Sequence, residues 1–184
     1  FGLAGGLGVG AIAAAVLALP ELVPYATDRL ASWRDPFADP LGEGHQTIQS
    51  LYAIASGGLA GLGLGNSRQK YLYVPEPQND FIFSILCEEL GFLGAALAVA
   101  LFLALLLRGM SIAIRARDKF GALLAVGFVV QVVLQAILNI AVVTNTIPNT
   151  GISLPFFSSG GTSLLMLLGE MGIVLSVSRQ TDAV

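Results

Sequence analysis

Four stretches of the sequence, residues 1–24, 81–107, 120–143 and 163–177, are apolar almost throughout. Crossing roughly 30 Å of hydrocarbon takes about 20 residues at the helical rise. The fourth stretch reaches that length if it extends back through Gly160 and Gly161. Only 11% of the residues are charged and 55% are hydrophobic, whereas a soluble domain carries about 25% charged residues. The mean hydropathy of +0.79 follows from these runs. Such a chain cannot keep its surface wet, and the bilayer is its expected solvent. A soluble cytosolic enzyme is the class this argues against. The expected fold is all-α: a polytopic membrane protein of about four transmembrane helices plus a large outer loop.

The formal net charge is −3, and the nine Lys and Arg residues are scattered along the loops. No basic face follows a phosphate backbone, so no nucleic-acid partner is expected. The single cysteine, Cys87, lies inside an apolar segment. It excludes an internal disulfide framework and a cysteine-based zinc cluster, and reads as a small buried apolar side chain. The chain starts at Phe1 with no Lys or Arg ahead of its first apolar run. That start does not read as a signal peptide, and the chain is expected to be a piece of a longer protein.

The charges orient the helices. Between the second and third apolar stretches, Arg108, Arg115, Arg117 and Lys119 face Asp118 alone, and under the positive-inside rule that loop is cytoplasmic. The expected organisation is one membrane domain: helix 1–24, extracellular loop 25–79, helix 80–107, cytoplasmic loop 108–119, helix 120–144, extracellular turn 145–159, helix 160–178 and cytoplasmic tail 179–184. A structureless connection as long as 25–79 is uncommon without a function. Within it, Ile48, Leu51, Tyr52, Ile54 and Ala55 recur at helical spacing between Gln46 and Ala60, which predicts an amphipathic helix at the membrane interface. The following run, Gly57 to Gly65, lacks the Lys-Ser/Thr ending and the strand context of a phosphate-binding loop. Close backbone packing is the better reading of those glycines.

The segment from Asn66 to Asp80 leads directly into the second apolar stretch and places Arg68, Lys70, Glu76 and Asp80 at the outer membrane surface. Asp80 reads either as a helix N-cap, accepting from free N–H groups, or as a general base at the water–lipid boundary. Asp80, Ser84 and Glu88 recur every four residues and share a face, with Glu88 about 12 Å deeper. Glu89 points elsewhere. A carboxylate in hydrocarbon is costly unless it meets a cavity or a partner, so Glu88 and Glu89 are candidates by position. Gln131, Gln135 and Asn139 form a polar stripe on the third apolar helix, read as interhelical hydrogen bonding in preference to a groove for lipid headgroups. Glu170 is a further buried acid on the fourth. His45, the only histidine, has no companion ligand at metal-binding spacing.

Taken in order, several pieces of the chain resemble the SEDS family of shape, elongation, division and sporulation proteins. They are Asp35-Pro36, Gly44-His45-Gln46, Gln49-Ser50-Leu51, Gly63 to Ser67, Gln69-Lys70, Pro75-Glu76, Asn79 to Phe83, Glu88 to Gly91 and Gly151 to Leu164. The resemblance runs from about residue 33 to residue 179 and is strongest to the FtsW-like and SpoVE-like branches. It implies a ten-helix fold of which this chain carries the last four helices. It also implies the polymerisation of lipid II into glycan strands beside a class B penicillin-binding protein, in the bacterial plasma membrane. The family's essential aspartate, in a Thr-Asp-Phe-Ile-Phe context, corresponds to Asp80. Here Asn79 stands in place of the usual Thr, His45 in place of Tyr, and Ser159 in place of Tyr.

Together these readings imply a catalytic Asp80, with Arg68, Lys70, Glu76, Ser84 and Glu88 as substrate-binding candidates. Glycosyl transfer needs a base for the acceptor hydroxyl and positive charge for the departing pyrophosphate. Arg68 and Lys70 suit the second task, and a divalent cation (Mg or Mn) held partly by Asp80 is an alternative use of that carboxylate. A lipid II flippase and a non-enzymatic division scaffold are the rival expectations.

Overall fold

The computed structural model describes residues 24–40, 42, 44–67 and 80–181. The first expected span, together with Arg68, Lys70 and Glu76, lies outside them. The described residues form α1 (Pro24–Arg34), a short 3-10 turn (Pro36–Ala38), α2 (His45–Gly57), α3 (Ile82–Arg115), α4 (Lys119–Val143) and α5 (Gly161–Thr181), with no strand. The last three are long and apolar enough to cross a membrane. Large side chains such as Leu97 and Ile114 on α3, Leu123 on α4 and Leu165 on α5 remain exposed, as suits helices whose solvent is lipid.

α3 departs from a plain spanning helix. At Gly91 the backbone turns to φ 68° and ψ −166°, splitting the helix in two. Backbone groups released at membrane depth must find partners within the protein, and the glycine-rich loop after α2 supplies them. Leu62 and Gly63 N–H donate to the carbonyls of Glu88 and Glu89 at 3.0 Å each, while Phe92 and Leu93 N–H donate to the carbonyls of Gly58 and Leu59 at 2.9 and 3.2 Å. The loop thus enters the break and closes both ends. Only residues without a β-carbon permit this approach. A Cβ on Gly61 would stand 2.1 Å from the Glu89 carbonyl oxygen, and one on Gly91 would stand 2.3 Å from the Gly61 nitrogen. The glycine run therefore serves close backbone packing, as its composition suggested.

Beyond the break α3 continues to Arg115, past the expected end at Leu107, and the link to α4 shrinks from the expected 108–119 to residues 116–118. Arg108 lies within the helix. Its long aliphatic stem allows the charge to reach the headgroups from there, so the cationic residue does not mark the helix end. Asp118 then caps α4 by accepting from Gly121 N–H at 2.7 Å.

α2 forms where the apolar spacing predicted a helix, but a different face is buried. Thr47, Ile48, Ser50, Ala53 and Gly57 pack inward, while Tyr52 is exposed. The small residues allow α2 to lie close against the first half of α3, since a Cβ on Gly57 would come within 2.0 Å of the Cys87 carbonyl oxygen. Ser50 Oγ also donates to the Val143 carbonyl at 2.9 Å, fastening α2 to the end of α4. Two apolar clusters hold the helices together: one joins Phe83, Cys87, Phe102, Val132, Val143 and Leu154, and the other joins Ile112, Ala125, Val129 and Val174. Glu170 on α5 does have a neighbour across the helices, as Gln131 Nε2 on α4 approaches its Oε1 at 3.5 Å.

Candidate active site

The approach to α3 and the loop between α4 and α5 meet at Asp80. Phe81 occupies the cap position of α3 and its side chain makes no capping bond, and Asp80 stands immediately before it. Its side chain is half-buried. Gly151 sits beside it with φ 67°, and a Cβ there would lie 3.5 Å from Asp80 Oδ2. The loop therefore brings bare backbone alongside the carboxylate.

That loop is held on several sides. Trp33 Nε1 donates to the Asn145 carbonyl at 3.1 Å, and Asn145 Nδ2 returns a bond to the Trp33 carbonyl at 3.3 Å. Arg29 donates to the Asn149 carbonyl, and Asn149 Nδ2 donates to Gln46 Oε1 on α2 at 3.3 Å. From below, the polar stripe of α4 grips the loop backbone. Gln135 Nε2 donates to the Ser153 carbonyl at 3.0 Å, and Asn139 Nδ2 donates to the carbonyls of Ile152 and Asp80 at 2.7 Å each. In the stripe read from sequence as interhelical bonding, only Gln131 bonds to another spanning helix, while Gln135 and Asn139 bond to backbone around the site.

The other candidates on the first half of α3 are buried. Ser84 is 0% exposed and its hydroxyl donates to the Phe81 carbonyl at 2.7 Å. Glu88 is 1% exposed and accepts from Ser67 Oγ, which ties the start of the 66–79 segment to α3. Neither side chain is brought to the surface that Asp80 reaches. Glu89 Oε1 is buried without a hydrogen-bond partner among the described residues. His45 begins α2. No three His, Cys, Asp or Glu side chains among the described residues stand together as a metal site.

An apolar recess of about 670 Å³ opens between α2 and α3, lined by Ile54, Phe83, Cys87, Phe92, Val99 and Leu103 among others. Sequence reasoning quoted Gly151 and Asn139 without placing them at the site. The signal available for Asn139 was a short polar amide on an otherwise apolar helix, with nothing to say that its partner would be Asp80.

The family of cell cycle proteins that comprises FtsW, RodA and SpoVE matches residues 3–183 of the chain. The chain belongs to that family. Its similarity to Stage V sporulation protein E of Bacillus subtilis (strain 168) is 54% identity over 156 residues, covering 85% of this chain and 43% of the relative. A probable peptidoglycan glycosyltransferase FtsW of Geobacter metallireducens is 43% identical over 171 residues, covering 90% of this chain and 46% of the relative. The fold is similar to a chain in a solved peptidoglycan synthase complex that coordinates polymerization and crosslinking. That match has a TM-score of 0.72 and 32% identity, covering 99% of this chain and 50% of the other. The chain spans less than half the length of these curated relatives.

The SEDS resemblance seen in the motifs is thus shown, and the chain is a multi-pass protein of the bacterial plasma membrane. In this SEDS chain the two most distinctive motifs, Asn79 to Phe83 and Gly151 to Leu164, are far apart in sequence, and Asp80 of the first lies beside Gly151 of the second.

Proposed function

We propose that the whole protein is a peptidoglycan glycosyltransferase that polymerises lipid II into glycan strands for cell division, shape maintenance or sporulation, with Asp80 as its general base. The observation that carries this reading is the half-buried Asp80 carboxylate at the head of a spanning helix, with glycine backbone beside it. The names of the relatives support the reaction class. Gly151 sets bare backbone beside the carboxylate, and Asn139 holds the Asp80 backbone carbonyl.

In the proposed step Asp80 takes the proton of the acceptor N-acetylglucosamine 4-hydroxyl as that oxygen attacks the anomeric carbon of the lipid-linked donor. The new glycosidic bond forms with inversion, the anomeric carbon–oxygen bond breaks, and the polyprenyl pyrophosphate leaves with the bonding electron pair. General-base assistance of this kind contributes about 10²- to 10⁴-fold. Arg68 and Lys70 are proposed to meet the pyrophosphate, with Glu76 beside them, while the buried Ser84 and Glu88 hold the first half of α3 in place instead of touching substrate. The apolar recess between α2 and α3 has the lining chemistry for a polyprenyl chain. A class B penicillin-binding protein is the proposed partner, supported by the similarity to a synthase complex, and the division septum is a proposed location.

No cluster of three ligating side chains stands at Asp80 among the described residues, so a divalent cation there would complete its shell with water, backbone oxygens or the substrate pyrophosphate. Loss of polymer on chelation, restored by Mg²⁺ or Mn²⁺, would establish it. The deciding experiment supplies lipid II to the purified full-length protein and to Asp80→Asn. Polymer from the parent alone supports the base. Equal polymer from both removes it, and headgroup translocation without polymer favours a flippase.

A further inference from the structure

We infer that Asn139 is the positioning residue for Asp80, fixing the carboxylate against the Gly151 backbone without itself touching the reacting atoms. This rests on the reading of Asp80 as the base. Asn139 is 0% exposed, and its amide nitrogen donates to the carbonyl of Asp80 and to that of Ile152, both at 2.7 Å. Its orientation is set by chemistry: two carbonyl oxygens at that distance require the NH₂ group, since an amide oxygen turned towards them would repel both. The price of that orientation is visible, because Asn139 Oδ1 is buried with no hydrogen-bond partner among the described residues. A buried amide with half of its capacity unused is an exception that calls for a reason.

The reason lies in where the two bonds fall. One holds the peptide that carries Asp80, so it sets the direction in which the carboxylate leaves the backbone. The other holds the Ile152–Ser153 peptide, one residue beyond Gly151, which faces Asp80 Oδ2. One side chain therefore bridges the backbone that carries the proposed base and the loop backbone beside it. A misplacement of about 1 Å at such a site costs on the order of 10²-fold in rate. Gln135, one turn earlier on α4, provides an internal comparison. It makes the same kind of bond to the same loop, and both of its contacts go to Ser153.

The test measures kcat and KM for lipid II, with thermal unfolding, in the full-length protein carrying Asn139→Leu, Asn139→Asp or Gln135→Leu. The proposal expects Asn139→Leu and Asn139→Asp to lower kcat by about tenfold or more, with KM within about threefold of the parent. Gln135→Leu should lower kcat by about threefold at most for a comparable loss of thermal stability. Asn139→Asp keeps the size and shape of the side chain but sets oxygen against both carbonyls, and it carries the test if Asn139→Leu does not fold. Parental kcat in the Asn139 variants, or a fall that tracks unfolding temperature equally in all three, overturns the proposal. Asp80→Asn in parallel separates the two levels. A fully active Asp80→Asn removes the base and the positioning role with it, whereas an inactive Asp80→Asn beside a parental Asn139→Asp removes the positioning role alone.

Discussion

At Asp80 the sequence and the structure contribute different things. The residue was identifiable as a candidate because the Asn79 to Phe83 motif corresponds to the family's essential aspartate, whereas its position before an apolar span equally suited a helix cap. Its surroundings were not legible, because Asn139 and Gly151 lie more than fifty residues away, beyond the reach of local spacing. Asp80→Asn should lower lipid II polymerisation by about 10²- to 10⁴-fold while leaving helix content unchanged, as read by gel analysis of glycan products and circular dichroism. Gly151→Ala tests the neighbouring backbone. The residue sits at φ 67°, where an L side chain costs about 1–2 kcal/mol, so a lower unfolding temperature is expected. The added methyl also meets Asp80 Oδ2, and turnover should fall along with stability. Ser84 and Glu88 show the limit of a shared helix face as evidence: they stand one turn apart as predicted, yet both are buried among protein groups. Periodicity states which residues share a side, and only packing states what that side meets.

Among the elements, α3 shows most clearly what hydropathy can and cannot reveal. Its apolar length announced a spanning helix, and a hydropathy average is insensitive to one glycine with unusual dihedral angles. The interruption at Gly91 depends on a loop about thirty residues earlier, so neither segment alone contains the information. Gly61→Ala and Gly91→Ala would each place a β-carbon against backbone at 2.1 or 2.3 Å. Overpacking and left-handed strain together should cost about 3 kcal/mol, seen as a lower unfolding temperature in detergent. Gly127→Ala is the control: nothing lies within 4 Å of its added carbon, and it should hold or raise stability, by up to about 1 kcal/mol. The same contrast explains α2. Its helical period was readable, whereas the face it turns to α3 is formed by small side chains that allow backbone contact, which apolar spacing does not mark.

For the molecule as a whole, composition alone was enough for the solvent and the fold class, because few charges and long apolar runs leave a chain little choice but the bilayer. The orientation predicted from Arg108, Arg115, Arg117 and Lys119 is open to direct test. Cys87 is buried, so once any cysteines outside this chain are replaced, introduced cysteines report against a protected background. A membrane-impermeant maleimide should label Phe37→Cys in intact spheroplasts and Arg117→Cys only after permeabilisation, and the reverse pattern would invert the topology. The divided α3 also bears on how the protein enters its membrane. The stretch Phe92–Arg115 is about 36 Å long at the helical rise, sufficient to cross the bilayer unaided. The segment that holds Asp80, Glu88 and Glu89 need not partition into lipid at the translocon with it. Membrane insertion and assembly of the acidic segment become separate events in biogenesis: the apolar half can integrate by hydrophobicity, and the acidic half can dock later, when the glycine loop is available to receive its backbone.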